Sequence, residues 1–251
     1  MKRVVCVLGG FVLLALPGWA QSPPEKSWAL AAGADRSSIY LFRGVDLLDD
    51  ESVIAPRAKL TWGGLAVAYS GYYGKLPGSA RYGEGDLAAD YTFKMGKAAL
   101  TLGALTYQFN GDAERVLAFH DTYEVYGALA FDLPLTPTLY YNYDIDKVKG
   151  GYLAFALSRS FRFGSKVSLN LLGSAGFDFH YNNKDVASGT FNDVLLSADL
   201  PIQLTDHFSI HAQVQRSIAQ KALDVIVKAD PSRESVYGDQ TVVTAGATVS
   251  F

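Results

Sequence analysis

Apolar residues recur at every second position through most of the chain. Towards the C-terminus Val243, Ala245, Ala247, Val249 and Phe251 share one parity, and Thr244, Gly246, Thr248 and Ser250 take the other. Phe208, Ile210, Ala212 and Val214 alternate in the same way with Ser209, His211, Gln213 and Gln215. So do Val167, Leu169, Leu171, Gly173, Ala175 and Phe177 with Ser168, Asn170, Leu172, Ser174, Gly176 and Asp178, where Leu172 is the one exception. A period of two puts the two sets on opposite faces of a strand, whereas a helix would scatter them around its circumference. Followed upstream, the pattern predicts twelve strands, roughly at 27–42, 52–62, 64–73, 85–94, 98–109, 120–132, 137–146, 149–162, 166–179, 191–202, 207–217 and 240–251. Most have about ten residues or more, which is long for a globular strand and suits one that crosses a membrane at a tilt.

The connections fall into two classes that alternate. Trp62-Gly63-Gly64, Lys94-Met95-Gly96-Lys97, Asp132 to Pro137, Phe163-Gly164-Ser165 and Gln203 to Asp206 are tight and carry turn residues. Those between them, at 43–51, 74–84, 110–119, 180–190 and 218–239, are longer, with 146–149 the exception. Short turns gathered at one end and long loops at the other are the arrangement of a transmembrane barrel with periplasmic turns and external loops. The even strand number brings both termini to the short-turn side. The expected fold is therefore all-β: an antiparallel transmembrane barrel occupying residues 21–251 as a single domain.

With this threading, Trp28, Trp62, Phe93, Phe131, Phe161, Phe208 and Phe251 lie at the periplasmic ends of strands. Tyr40, Phe42, Tyr72, Tyr73, Tyr107, Phe109, Tyr123, Tyr143, Tyr152, Phe177, Phe179 and Phe191 lie at the outer ends. Two aromatic rings at constant depth are what two membrane interfaces select. A final alternating strand that ends on Phe251 also has the form of the C-terminal signal read by the outer-membrane barrel assembly machinery.

The first twenty residues read differently. Met1-Lys2-Arg3 is a basic start, Val4 to Leu16 an apolar run, and Gly18-Trp19-Ala20 a small-residue cleavage site before Gln21. The run is shorter than the ~20 residues of a spanning helix, so 1–20 is expected to be a cleaved export signal. It holds Cys6, the chain's one cysteine, which leaves the rest without thiols, disulfides or cysteine-based metal sites. Removing Lys2 and Arg3 from the 22 basic residues leaves 20 against 25 acidic ones, a balance unsuited to nucleic acid. Mean hydropathy near zero (+0.09) is what a wall half on lipid and half on water should have.

Tyr40-Leu41-Phe42-Arg43-Gly44-Val45-Asp46, followed by Pro56 and by Gly64-Leu65-Ala66-Val67-Ala68-Tyr69-Ser70-Gly71-Tyr72-Tyr73, resembles the opening of the TorF family of Gram-negative porins. The local match covers about 35 residues. The chain has Asp46-Leu47 where that family often carries Ser or Thr with Gln. The resemblance implies an outer-membrane location and passive diffusion of small hydrophilic solutes or ions, with outer-membrane lipid as the surroundings.

Charged residues on the parity away from lipid are the candidates for lining the lumen: Arg57, Lys59, Asp86, Asp90, Glu124, Asp144, Asp178, Asp193, Asp199 and His211, with Gln213 beside them. Arg43 is either a lumen-lining or loop-anchoring cation, or a charge at headgroup level. If Arg57 and Lys59 pair with Asp86 and Asp90, the interior is a plugged polar network; if the charges stay hydrated, they line a narrow channel that favours cations. The longest loop, 218–239, is either an inward constriction or, because Leu223, Val225 and Val227 alternate, an extension of its hairpin. A non-conducting scaffold barrel is the alternative to a channel. A lipid hydrolase would need His207 and Ser209 as base and nucleophile, with no evident orienting acid. His120, His180 and His211 are isolated, Asp49-Asp50-Glu51 reads as a solvated acidic loop, and no phosphate-binding glycine loop is present. No cofactor, metal site or catalysis is expected.

Overall fold

The computed structural model describes residues 28–76, 78, 80–113 and 120–251. The export signal expected at 1–20 lies outside the described residues. The strands are β1 (Trp28–Ser37), β2 (Leu41–Phe42), β3 (Val45–Asp46), β4 (Val53–Trp62), β5 (Leu65–Lys75), β6 (Arg81–Met95), β7 (Ala98–Gly111), β8 (Thr122–Phe131), β9 (Thr138–Asp144), β10 (Gly151–Phe163), β11 (Val167–Phe179), β12 (Thr190–Gln203), β13 (Phe208–Ala219) and β14 (Gln240–Ser250). All except β2 and β3 form one closed barrel of antiparallel neighbours, sealed where β1 pairs with β14. Closure leaves no free edge, so every strand finds its backbone partners inside the wall, as hydrocarbon surroundings demand.

Side chains alternate across that wall. On β9 Thr138, Tyr140, Asn142 and Asp144 are buried, while Leu139, Tyr141 and Tyr143 are exposed. The exposed set around the barrel is largely Leu, Val, Ile and aromatic, which is a surface made for lipid rather than water. All seven aromatics of the periplasmic ring are exposed, and Trp28 sits directly opposite Trp62.

The outer ring needs correction. Tyr73, Tyr123 and Tyr143 face outward, but Tyr40, Tyr72, Tyr107 and Tyr152 are buried inside. Position along a strand sets depth, whereas parity sets side, and these four have the inward parity or lie off the wall altogether.

Two further expectations change. The first strand ends at Ser37, and 38–52 leaves the wall to enter the barrel, carrying the short hairpin β2–β3. The last loop does not extend its hairpin: it forms helix α1 (Lys221–Ala229), a turn of 3-10 helix (Pro231–Arg233) and helix α2 (Glu234–Tyr237). In so short a run the alternation of Leu223, Val225 and Val227 does not separate strand from helix; in the helix Leu223 is buried with Ala222, while Val225 points away and is exposed. A register shift sets Gly176 opposite Asp193 but Phe177 opposite Phe191. The extra residue, Asn192, is a bulge that turns both Asn192 and Asp193 inward.

Candidate functional site

Residues 38–52 fill the outer part of the lumen. At their tip, β2 and β3 are joined by Arg43 and Gly44, both with positive φ (51° and 84°), the pattern of a tight hairpin turn whose twist matches its strands. Gly adopts this conformation freely, but for Arg it costs ~1–2 kcal/mol. The surroundings overcome that cost. Arg43 donates from Nη1 to Glu124 Oε1 at 2.9 Å and from Nη2 to Oε2 at 2.7 Å, a two-pronged ion pair with both side chains almost fully buried. Its carbonyl accepts from the side-chain amides of Asn182 at 3.0 Å and Asn192 at 2.9 Å. The guanidinium lies over the rings of Tyr181 (4.1 Å), Phe42 (4.7 Å) and Tyr152 (5.4 Å). Burial works against its charge, but the Glu124 carboxylate outweighs burial and holds its pKa above the ordinary value.

The reach of this contact is set by topology. Glu124 is on β8 and Tyr152 on β10, each five places from β1 around a ring of twelve. The loop that leaves β1 therefore crosses the lumen to the far wall.

Apolar packing seats it on both sides. Tyr40 stacks on Tyr72 (4.5 Å between centroids) and meets Tyr82 edge-on, with Leu48, Val53 and Leu76 in the same cluster. Ile39 and Leu41 face the other way, onto Ala156, Leu172, Leu195 and Val242. Asp46, fully buried, accepts from the backbone of Leu48 (3.1 Å) and Asp50 (2.6 Å) and fixes the return of the loop. Burial raises its pKa, partly countered by those two hydrogen bonds. Helix α1 covers the tip: a Cβ on Gly44 would stand 2.9 Å from Leu223 and 3.0 Å from Asp193.

A second polar group lies along the seam. Arg57 pairs with Asp35 and donates to Thr248 Oγ1 at 2.9 Å; His211 meets Asp35 through Nε2 at 2.9 Å and Asp199 through Nδ1 at 2.8 Å. Both ring nitrogens face carboxylate oxygens, an arrangement that only the doubly protonated imidazolium satisfies. Two carboxylates thus meet two cations across β4, β1, β14, β13 and β12. The bridge from Asp35 to His211 passes over Gly246 of β14, where any Cβ would overlap it. The hydrogen bonds from Tyr126 to Asp90 and from Tyr152 to Asp193 pass over Gly103 and Gly176 in the same way.

The candidates from the sequence separate accordingly. Arg43 and Glu124 hold the plug, while Arg57 and His211 belong to the seam. The expected pairing of Arg57 with Asp86 is not formed, because Arg57 turns to Asp35 on the other side. Asp86 is buried (3% exposed) beside the equally buried Glu84, two residues away on the same face of β6. Asp90 accepts from Tyr126 at 2.9 Å, and Asp193 from Tyr152 at 2.7 Å. Lys59 is half-buried on β4, opposite Ala31 and Ala68. Gln213 is buried between Asp199 and Thr244 on the neighbouring strands. Asp144 accepts from the backbone of residues 146, 148 and 149, and Asp178 from that of 181, 182 and 183. These two hold external loops.

Asp35, Asp46, Glu84, Asn182 and Asn192 escaped the sequence reading. One signal for the plug was available: an open lumen has no use for apolar side chains on the inward parity, yet Tyr72, Leu105, Tyr107, Tyr126, Tyr140, Leu172 and Leu195 are there.

The hydrolase pair is not assembled. His207 is exposed, bonds to Ser250 O at 2.7 Å and stacks on Phe251, while Ser209 sits in the ladder between Gln203 and Thr248. No group of three or more His, Cys, Asp or Glu among the described residues is placed to hold a metal ion.

A closed twelve-stranded barrel, apolar outside and charged within, is a membrane-spanning wall around a plugged lumen. No family model matches the chain, and no curated protein sequence does. Among solved structures it is similar to the NanC porin (TM-score 0.57, 10% identity, 88% of this chain and 98% of that one). It is also similar to the KdgM porin in complex with disordered oligogalacturonate (0.52, 12%, 89% and 99%) and to an outer membrane channel from Pseudomonas putida F1 (0.51, 10%, 92% and 97%). At such identities the likeness is one of fold.

Proposed function

We propose that the protein is a porin-like outer-membrane channel for passive diffusion of small hydrophilic solutes or ions, a member of the TorF family, exported by the signal at 1–20. The observation that carries this reading is the charged interior of a closed barrel whose outer face is apolar. A barrel needed only as a scaffold gains nothing from burying Glu84 and Asp86 side by side. The similar fold of three channel proteins supports the same reading. In this proposal Arg57, Lys59, Asp86, Asp90, Glu124, Asp193, His211 and Gln213 line the lumen, Arg43 closes it, and Phe251 engages the assembly machinery. Reconstitution into planar bilayers tests it: discrete current steps from folded barrel are the expected outcome.

The filled lumen favours a second reading, a non-conducting barrel that presents its loops to partners. Silence in the bilayer, both from the native barrel and from one with the plug shortened, would decide for it.

A further inference from the structure

The loop that fills the lumen is tied to the wall differently from the seam network. Its one cation, Arg43, faces a wall that carries Glu84, Asp86, Glu124 and Asp193, all buried at 3% exposure or less. Arg57 is engaged by Asp35, and His211 by Asp35 and Asp199. Asp144 and Asp178 are occupied by loop backbone. Of these four, Arg43 hydrogen-bonds Glu124, while Asp193 accepts from Tyr152 and Asn192 and Glu84 from Tyr82. Glu84 and Asp86 stand two residues apart on one face of β6, both buried, with Tyr40 of the plug beside them. Two acidic groups side by side in a buried site are costly, and water that enters when the plug withdraws relieves that cost.

We propose that residues 38–52 are a displaceable plug, with Arg43 standing in for a permeant cation, and that its withdrawal exposes Glu84, Asp86, Glu124 and Asp193 as a filter for cationic solutes. This rests on the channel reading above and names its solute class. The loop is suited to such motion. It is joined to the wall at Ser37 and Val53; its strands pair with each other, Leu41 with Asp46 and Phe42 with Val45, and its backbone bonds to a neighbouring strand at its root, where Ser38 meets Val243. The barrel ladder from β1 to β4 closes beneath it without its help. An acidic ring of this kind raises the local concentration of cations and repels anions.

The test is conductance and reversal potential in a KCl gradient, on full-length barrel whose folding is confirmed by heat-modifiable gel mobility. Native protein should conduct in rare, brief steps. Replacing residues 39–50 by a short Gly-Ser turn should give continuous conduction, with the reversal potential displaced towards that of K⁺. Adding Glu84→Gln, Asp86→Asn and Glu124→Gln to the shortened barrel should return the reversal potential towards zero while current persists. Arg43→Ala in the full-length chain should lengthen the openings. If the native and shortened barrels conduct alike, the plug is refuted; if the shortened barrel conducts without preference or prefers Cl⁻, the filter is refuted. A folded, shortened barrel that passes no current overturns the channel reading itself.

Discussion

The seam and the plug both bury charge, but they balance it in different ways. Along the seam, Asp35, Arg57, His211 and Asp199 all belong to barrel strands, and each charge meets its counter-charge within the wall. Around the plug, the carboxylates belong to the wall and their cation arrives on a loop. A balance held within the wall cannot be undone without opening the barrel. One that depends on a loop can be undone by moving the loop, at the cost of hydrating what it covered. The same two kinds of residue therefore serve permanence in one place and change in the other.

Breaking each balance separately should show this. Asp35→Asn removes a carboxylate shared by Arg57 and His211 and leaves their charges buried; we expect it to destabilise the barrel by ~3–5 kcal/mol. Gly246→Ala, whose methyl would occupy the space of the Asp35–His211 bridge, should cost about as much, ~3 kcal/mol, by the same route. Urea unfolding of the reconstituted barrel, followed by tryptophan fluorescence, measures both. Glu124→Gln breaks an equally buried pair, yet Arg43 can leave with its loop for water, so barrel stability should change by less than ~1 kcal/mol. Its effect should appear instead as longer openings. A loss for Glu124→Gln as large as that for Asp35→Asn would mean that the plug is part of the wall's stability, and the contrast would fail.

A smaller effect separates the plug's seat from its latch. Leu172 is the inward leucine that meets Ile39, Leu41, Leu195 and Val242. Leu172→Ala should cost barrel stability less than the ~2–5 kcal/mol usual for a core leucine, because the loop can shift into the space. Openings should become more frequent while each keeps its duration, since Arg43 and Glu124 are untouched. A cost within the full core range would show that the loop is packed as rigidly as the strands.

Leu172 also marks where the sequence stopped being legible. Strand number, order and the outward face could be read because lipid imposes one rule on every outward position, and a period of two reports it directly. The interior obeys no such single rule. Inward apolar residues such as Leu172 and Leu195 make sense only once a loop from the other side of the barrel is known to lie against them, and nothing local in 38–52 says that it turns inward. Arg43 was ambiguous for the same reason: Phe42-Arg43-Gly44 announces a turn, but its partner Glu124 lies 81 residues away. The pairing of Arg57 failed because the sequence reading reached two strands on, to Asp86 on β6, and passed over Asp35 on the adjacent first strand; barrel closure then brings His211 to the same carboxylate from across the seam.

Asp86 gives the finest test of the comparison. Its carboxyl is buried beside that of Glu84, two residues away on the same face of β6. Two acidic groups so placed carry a penalty of burial and mutual repulsion that an amide in place of one would relieve. Asp86→Asn should therefore leave barrel stability unchanged or raise it by up to ~1 kcal/mol, within the range seen when a poorly satisfied buried charge is replaced. The same substitution in a barrel freed of its plug should weaken cation preference, because there the carboxylate faces water and permeant ions. If Asp86→Asn instead destabilises the barrel as Asp35→Asn does, then Asp86 is a structural partner like those of the seam. Its burial would then need no functional explanation.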